Sequence, residues 1–381
     1  MRVLLITSAV VEYSIELANA LSAQSDIDVK LIMPKDYVTK YLQYPLHNLL
    51  RENVDARLFA CEGNRAIRNL PSVYHIVKYI NHVKPDVIHI QEFGNVLFWL
   101  TLPFISKFPV VATIHEPEPP LHQIILSRIR RFLRVTLSKI FTKYYDKMIV
   151  HGEYLKQLAM ANFRRKREDI HVIPLGELTI FQKLNGKYTL PQSNSILFFG
   201  RLTDRKGLKY LLEAQPLITQ EIPDAKIIIA GEIDLSDYRK SIVNEGSFEI
   251  HSRFIPYDEV GEFFQRCALV VLPYTDASQS GVIPVAYTYG KPVITTNVGS
   301  LPDAVENGVT GFLIPPRNAR ALAEAVIKLL KNDELRIEMG KNAYKKAKED
   351  LSWEKIAIQT IAVYKEAIEV HRDRRGFWKY S

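Results

Sequence analysis

The chain has 381 residues, 47% of them hydrophobic and 24% charged, which excludes a disordered or fibrous protein and favours two domains over one. Its two cysteines, Cys61 and Cys267, match no zinc spacing and fit a reducing cytoplasm better than a disulfide scaffold. A net charge of +8 comes without a helix-turn-helix, zinc-finger or RNP pattern, which sets nucleic acid aside as a partner.

Short β-branched runs alternate with amphipathic stretches, the pattern of a parallel sheet with helices on both faces. Met1–Val11 reads as a buried first strand rather than a secretion signal, since Arg2 is its one charge and no small-residue cleavage site follows. Further strands are expected at Val29–Met33, Asp86–Ile90, Val110–Ile114, Lys147–Val150 and His171–Pro174. Helical patterns fill Ser14–Ser22, Pro71–Val83 and Gly152–Ala161. Asn95–Ile114 is apolar, but Pro103, Lys107 and Pro109 divide it into a short helix and a strand. Cations crowd into Arg128, Arg130, Arg131, Arg134, Lys139, Lys143 and Lys147, then Arg164-Arg165-Lys166-Arg167. They read either as a solvated helix face and a basic turn or as a surface that attracts anionic lipid or a phosphorylated acceptor.

A polar stretch, Lys183–Ser195, reads as a linker. The alternation then restarts at Ile196–Phe199, Ala225–Ala230, Phe248–Phe254, Leu269–Leu272, Pro292–Thr295 and Gly311–Ile314. A last helix is expected from Trp353 to about Val370, followed by a basic, aromatic tail. The organisation is thus a first domain over 1–182, a second over 196–351, and a helix over 352–381 that returns to the first.

Two loops of the second domain carry chemistry. In Phe199-Gly200-Arg201-Leu202-Thr203-Asp204-Arg205-Lys206-Gly207, a buried strand ends in Gly200 and two cations follow it. Arg201 supplies a planar fork of donors and Lys206 a mobile point charge, both suited to a diphosphate. In Pro273-Tyr274-Thr275-Asp276-Ala277-Ser278-Gln279-Ser280-Gly281-Val282, a strand passes through small residues into a helix. Free amides at Ser280, Gly281 and Val282 suit an anion there. In the first domain, His115 and Glu116 stand just past a buried strand.

Together with Ile229-Ala230-Gly231, Gly290-Lys291-Pro292-Val293 and Gly308…Gly311-Phe312-Leu313-Ile314-Pro315, these segments resemble glycosyltransferase family 4. The first half carries a thinner likeness in His115, Val150-His151-Gly152-Glu153-Tyr154 and Val172-Ile173-Pro174-Leu175-Gly176. The resemblance implies a GT-B fold, two facing doubly wound domains with an interdomain cleft. It implies a retaining transferase that uses a UDP- or GDP-linked sugar as co-substrate, with no metal and no other cofactor. It implies that Gly200, Arg201 and Lys206 meet the donor phosphates, helped by Ser280–Val282, and that His115 orients or polarises sugar and acceptor. The expected acceptor is a glycan or lipid-linked hydroxyl, met in the cytoplasm or at the inner face of the cell membrane.

Two positions depart from the family pattern. Where family members commonly carry two glutamates, alignment on Gly290-Lys291-Pro292-Val293 places Ala277 and Val285, leaving Asp276 and Gln279 as candidate sugar contacts. The turn after the first strand, Thr7-Ser8-Ala9-Val10-Val11-Glu12, has no glycine. Two alternatives stand beside the transferase: a nucleotide-sugar 2-epimerase, which shares the two-domain architecture, and a catalytically weak donor-binding subunit, suggested by Ala277 and Val285.

Overall fold

The computed structural model describes residues 1–7, 10–42, 44–60, 70–91, 96–116, 140–185, 194–201, 203–232, 234–236, 238, 242 and 245–377. The chain forms two compact units, Met1–Pro174 with Trp353–Ser381, and Leu175–Ser352. Each is built on one parallel sheet.

The first sheet has seven strands in the order β3-β2-β1-β4-β5-β6-β7. They are β1 (Arg2–Thr7), β2 (Asp28–Pro34), β3 (Val54–Phe59), β4 (Val87–Gln91), β5 (Val110–Thr113), β6 (Lys147–Val150) and β7 (Ile170–Val172). Central strands read as unbroken apolar runs because both faces are covered: Val3 lies between Val29 and Val87, and Val3 to Ile6 are all buried. β3 escaped the sequence reading. It pairs only with β2, and its middle residues are partly or fully exposed, so an edge strand left no apolar run to find. Asn95–Ile114 divides as expected, into the helix Val96–Ile105 and β5. No helix among the described residues is long and apolar enough to cross a membrane.

The last helix runs from Trp353 to Phe377, further than its apolar pattern suggested. It buries Ile356, Ala357, Val363, Tyr364 and Ala367 in the first unit. His371 and Arg374 extend the docking by pairing with the buried carboxylate of Asp146 at 3.1 and 3.0 Å. The basic segment needs correction at two points. Lys147 is buried, donating to Glu168 O and facing Asp169 and Glu366. Arg165 turns inward to the carbonyls of Tyr145 and Asp146. Neither belongs to an outward face, and residues 128–139 lie outside the described residues.

The second sheet has six strands in the order β10-β9-β8-β11-β12-β13. They are β8 (Ser195–Phe199), β9 (Lys226–Gly231), β10 (Phe248–Ser252), β11 (Leu269–Leu272), β12 (Val293–Thr296) and β13 (Gly311–Ile314). The expected linker begins inside a helix, Ile180–Asn185, which packs Phe181 edge-on against Tyr257 while Gln182 donates to Thr288 O. In both sheets the strand order reverses beside the first strand of the unit, between β1 and β4 and between β8 and β11. Connections leave in opposite directions at that point, which opens a crevice at the carboxyl ends of the strands.

Candidate functional site

The loops after β8 and β11 flank the crevice of the second sheet and are joined by several contacts. Thr275 N donates to Arg205 O at 2.8 Å. Lys206 Nζ stands 3.8 Å above the Tyr274 ring centroid, a cation–π contact that holds the ammonium in place. Gly207, at φ 69°, lies so close to Pro273 that a Cβ would sit 1.9 Å from its carbonyl oxygen. Only glycine fits there. Arg201 is exposed and Lys206 half-buried, while Gly200 faces Val282, whose Cγ2 lies 4.0 Å from where a Cβ would be.

Tyr274 is the pivot that sequence reasoning passed over. It is buried, and its hydroxyl meets Ser280 Oγ at 3.2 Å, while Ser280 Oγ accepts from Val282 N at 3.3 Å. One side chain thus connects the lysine loop to the small-residue loop. The second loop is also held from its far side. Thr296 Oγ1 donates to Tyr274 O, Ser300 N donates to Ser278 O, and Gly299 presses against the Ala277 carbonyl. The helix that starts at Val282 has only seven residues, which limits its dipole. Asp276 and Gln279 are half-buried, Gly281 is exposed, and Ala277 and Val285 are both buried. Lys291 of Gly290-Lys291-Pro292-Val293 is structural: buried, it donates to the carbonyls of Gln265 and Cys267 at the end of the helix Tyr257–Arg266.

His115 belongs to the first unit, just beyond β5, and is buried in a chain of polar side chains. Tyr364 Oη lies 2.6 Å from His89 Nδ1, and His89 Nε2 lies 2.7 Å from Thr113 Oγ1. Gln91 Nε2 is 3.1 Å from His89 Nε2, and Gln91 Oε1 is 3.3 Å from His115 Nε2. His115 Nδ1 is 3.1 Å from His151 Nε2, and His151 Nδ1 is 2.8 Å from Ile173 O. Tyr13 covers the pair edge-on, 5.5 Å from the His115 ring and 5.6 Å from His151. Burial disfavours imidazolium, so His89 titrates only at about 3, His151 at about 4, and His115 well below its ordinary value. All three rings are neutral at pH 7. Motif reading singled out His115 but missed His89, Gln91 and Tyr364, whose order along the chain says nothing of their meeting.

The turn after β1 lacks glycine yet still requires a left-handed residue. Val10 takes φ 46° immediately before the helix Val11–Ser22. A β-branched side chain is unfavourable in that conformation, so the turn carries local strain.

Comparison with known proteins bears on both units. The profile described as Glycosyltransferase Family 4 matches residues 10–176, and that described as Glycosyl transferases group 1 matches residues 181–346. An uncharacterised glycosyltransferase of Methanocaldococcus jannaschii is 27% identical over 75% of this chain and 77% of its own length. The phosphatidyl-myo-inositol mannosyltransferase of Mycobacterium tuberculosis is 25% identical over 76% of each chain. Among solved structures, HepE of Anabaena in complex with UDP-glucose superposes with a TM-score of 0.69 at 19% identity, covering 96% of this chain and 99% of its own. Two parallel-sheet units of this topology, matched along most of their length by these profiles, make the chain a member of glycosyltransferase family 4 with the GT-B fold.

Proposed function

We propose that this glycosyltransferase moves a sugar, with retention of configuration and without a metal ion, from a nucleoside-diphosphate sugar to a glycan or lipid-linked hydroxyl. The observation that carries the reading is the joining of the Arg201–Lys206 loop to the Tyr274–Val282 loop through Tyr274 at the carboxyl end of β8 and β11. Cleaving the donor leaves negative charge on the diphosphate. Arg201 and Lys206 stabilise that charge as it develops, the part a divalent cation plays in other transferases. His115 orients the sugar, and Asp276 and Gln279 take the place of the glutamates absent at Ala277 and Val285.

Incubation with UDP-, GDP- and ADP-sugars tests this directly. Release of nucleotide from one donor is expected, with the product anomer matching the donor and with EDTA without effect. An inverted anomer would reject retention, and EDTA inhibition reversed by Mg²⁺ would reject metal independence. An epimerised sugar would replace the reading by a 2-epimerase. Binding without turnover would favour a donor-binding subunit, the alternative to which the buried Ala277 and Val285 lend weight.

The acceptor side extends the proposal to a cytoplasmic enzyme working at an anionic membrane surface. With Lys147 withdrawn, Arg128, Arg130, Arg131, Arg134, Lys139 and Lys143 carry this part of the reading, at about 1 kcal/mol per cation near the surface. The protein should co-sediment with phosphatidylglycerol vesicles at low salt and be released by added salt. Protein that remains in the supernatant at low salt would remove the membrane from the proposal.

A further inference from the structure

We infer that His151, anchored by the Ile173 carbonyl, is a positioning residue that fixes His115 in its Nδ1–H form and makes Nε2 of His115 a hydrogen-bond acceptor. The clue is that one end of the buried chain has no choice of role. A backbone carbonyl can only accept, so His151 Nδ1, 2.8 Å from Ile173 O, carries a proton. A neutral ring holds one proton, so His151 Nε2 is a lone pair and His115 Nδ1 must donate to it. His115 Nε2 is then a lone pair in turn.

The remaining links follow. An amide's oxygen and nitrogen are nearly isosteric, and the protons decide which end faces which ring. Facing the His115 lone pair, Gln91 must present its NH₂, which turns its oxygen toward His89 Nε2. His89 therefore carries its proton on Nε2, shared between Gln91 and Thr113 Oγ1, and His89 Nδ1 accepts from the Tyr364 hydroxyl. The opposite polarity sets a His151 lone pair against Ile173 O, or else requires a buried imidazolium. Tyr13, edge-on to both rings, covers the pair with an aromatic wall.

The consequence for the site rests on the transferase reading, which brings a sugar to His115. In this form His115 accepts a hydrogen bond from a substrate hydroxyl at Nε2, in place of Gln91 at 3.3 Å, and has no proton there to give. The general-acid and electrophile roles are then closed to it. Its contribution is orientation.

Long-range ¹H–¹⁵N spectra of histidine-labelled protein at neutral pH test the assignment without any activity assay, with single His→Gln variants identifying the signals. His115 and His151 are expected as Nδ1–H forms and His89 as Nε2–H. Finding His115 protonated on Nε2 overturns the inference. For the positioning role, His151→Gln can still present a carbonyl oxygen to His115 Nδ1 and should keep the tautomer and most of kcat. His151→Phe offers no acceptor. It should release His115 to the other tautomer and lower kcat about ten- to a hundredfold at unchanged nucleotide KM, as losing an orienting partner does at other histidine sites. Wild-type kcat or an unchanged His115 tautomer in His151→Phe would sink the positioning role. Should no donor be turned over at all, the transferase reading fails while the spectra still decide the tautomer.

Discussion

Arg201→Ala and Lys206→Ala are each expected to lower kcat/KM for sugar transfer by about thirty- to a thousandfold, or roughly 2–4 kcal/mol of transition-state stabilisation. The diphosphate gains charge as its bond to the sugar breaks, so contacts to it strengthen between ground state and transition state. Such contacts show in kcat more than in KM. Lys206 is held over Tyr274 before any ligand arrives, so little ordering cost remains to be met on binding. Arg201 is exposed, and removing it should leave thermal unfolding unchanged. Lys206→Ala forfeits a cation–π contact and should cost about 1 kcal/mol of stability besides. Kinetics near wild type in either variant would reject the phosphate assignment.

The second large effect is acid sensitivity confined to the first unit. In the unfolded chain these histidines take up protons near pH 6.5, whereas in the folded protein His151 does so only at about 4 and His89 at about 3. Below pH 6.5 the unfolded state therefore binds more protons, and stability that is complete above that pH is lost as pH falls toward 4. At pH 5 each of the two rings has withdrawn about 2 kcal/mol, and His115 acts in the same direction. That is a large share of the 5–15 kcal/mol typical of a folded domain. Tryptophan fluorescence reads it selectively, because Trp99, Trp353 and Trp378 all fall within the first unit and none within Leu175–Ser352. A fluorescence transition between about pH 6 and pH 4 is expected, its midpoint moved to lower pH by His89→Gln. Fluorescence that stays native down to pH 4 would contradict it.

Fold class was legible because parallel strands buried on both faces leave continuous apolar runs, as in Val3–Thr7 and Leu269–Leu272. The loops after β8 and β11 were legible because a cation pair and a Ser-Gly turn lie next to their strands in sequence. Tyr274 was hidden in plain view, a residue of a strand-end motif whose role depends on which loop folds over it. Of the histidine chain only His115 and His151 stood out in the sequence, and their connection did not. Its members come from β4, the ends of β5 and β6, and a helix 275 residues beyond His89, and only the folded unit brings them together. Lys147 and Arg165 misled for the related reason that a run of cations looks solvated until its carboxylate and carbonyl partners are known.

The division of the chain has a consequence for how the protein is made. The first unit is interrupted: Leu175–Ser352 is inserted between Pro174 and Trp353. As synthesis proceeds from the N-terminus, the inserted unit is complete while the first still lacks Trp353, which packs against Tyr13, and Tyr364, which closes the histidine chain. Bridging a flexible loop of roughly 180 residues costs about 4–5 kcal/mol in chain entropy. The inserted unit removes most of that cost by folding, because its own two ends meet. Glu177 N donates to Leu351 O at 2.9 Å, and Lys348 Nζ reaches the Glu177 carboxylate at 2.6 Å. Once folded, it acts as a short clamp in place of a long loop, and the chain leaves it for the last helix close to where it entered.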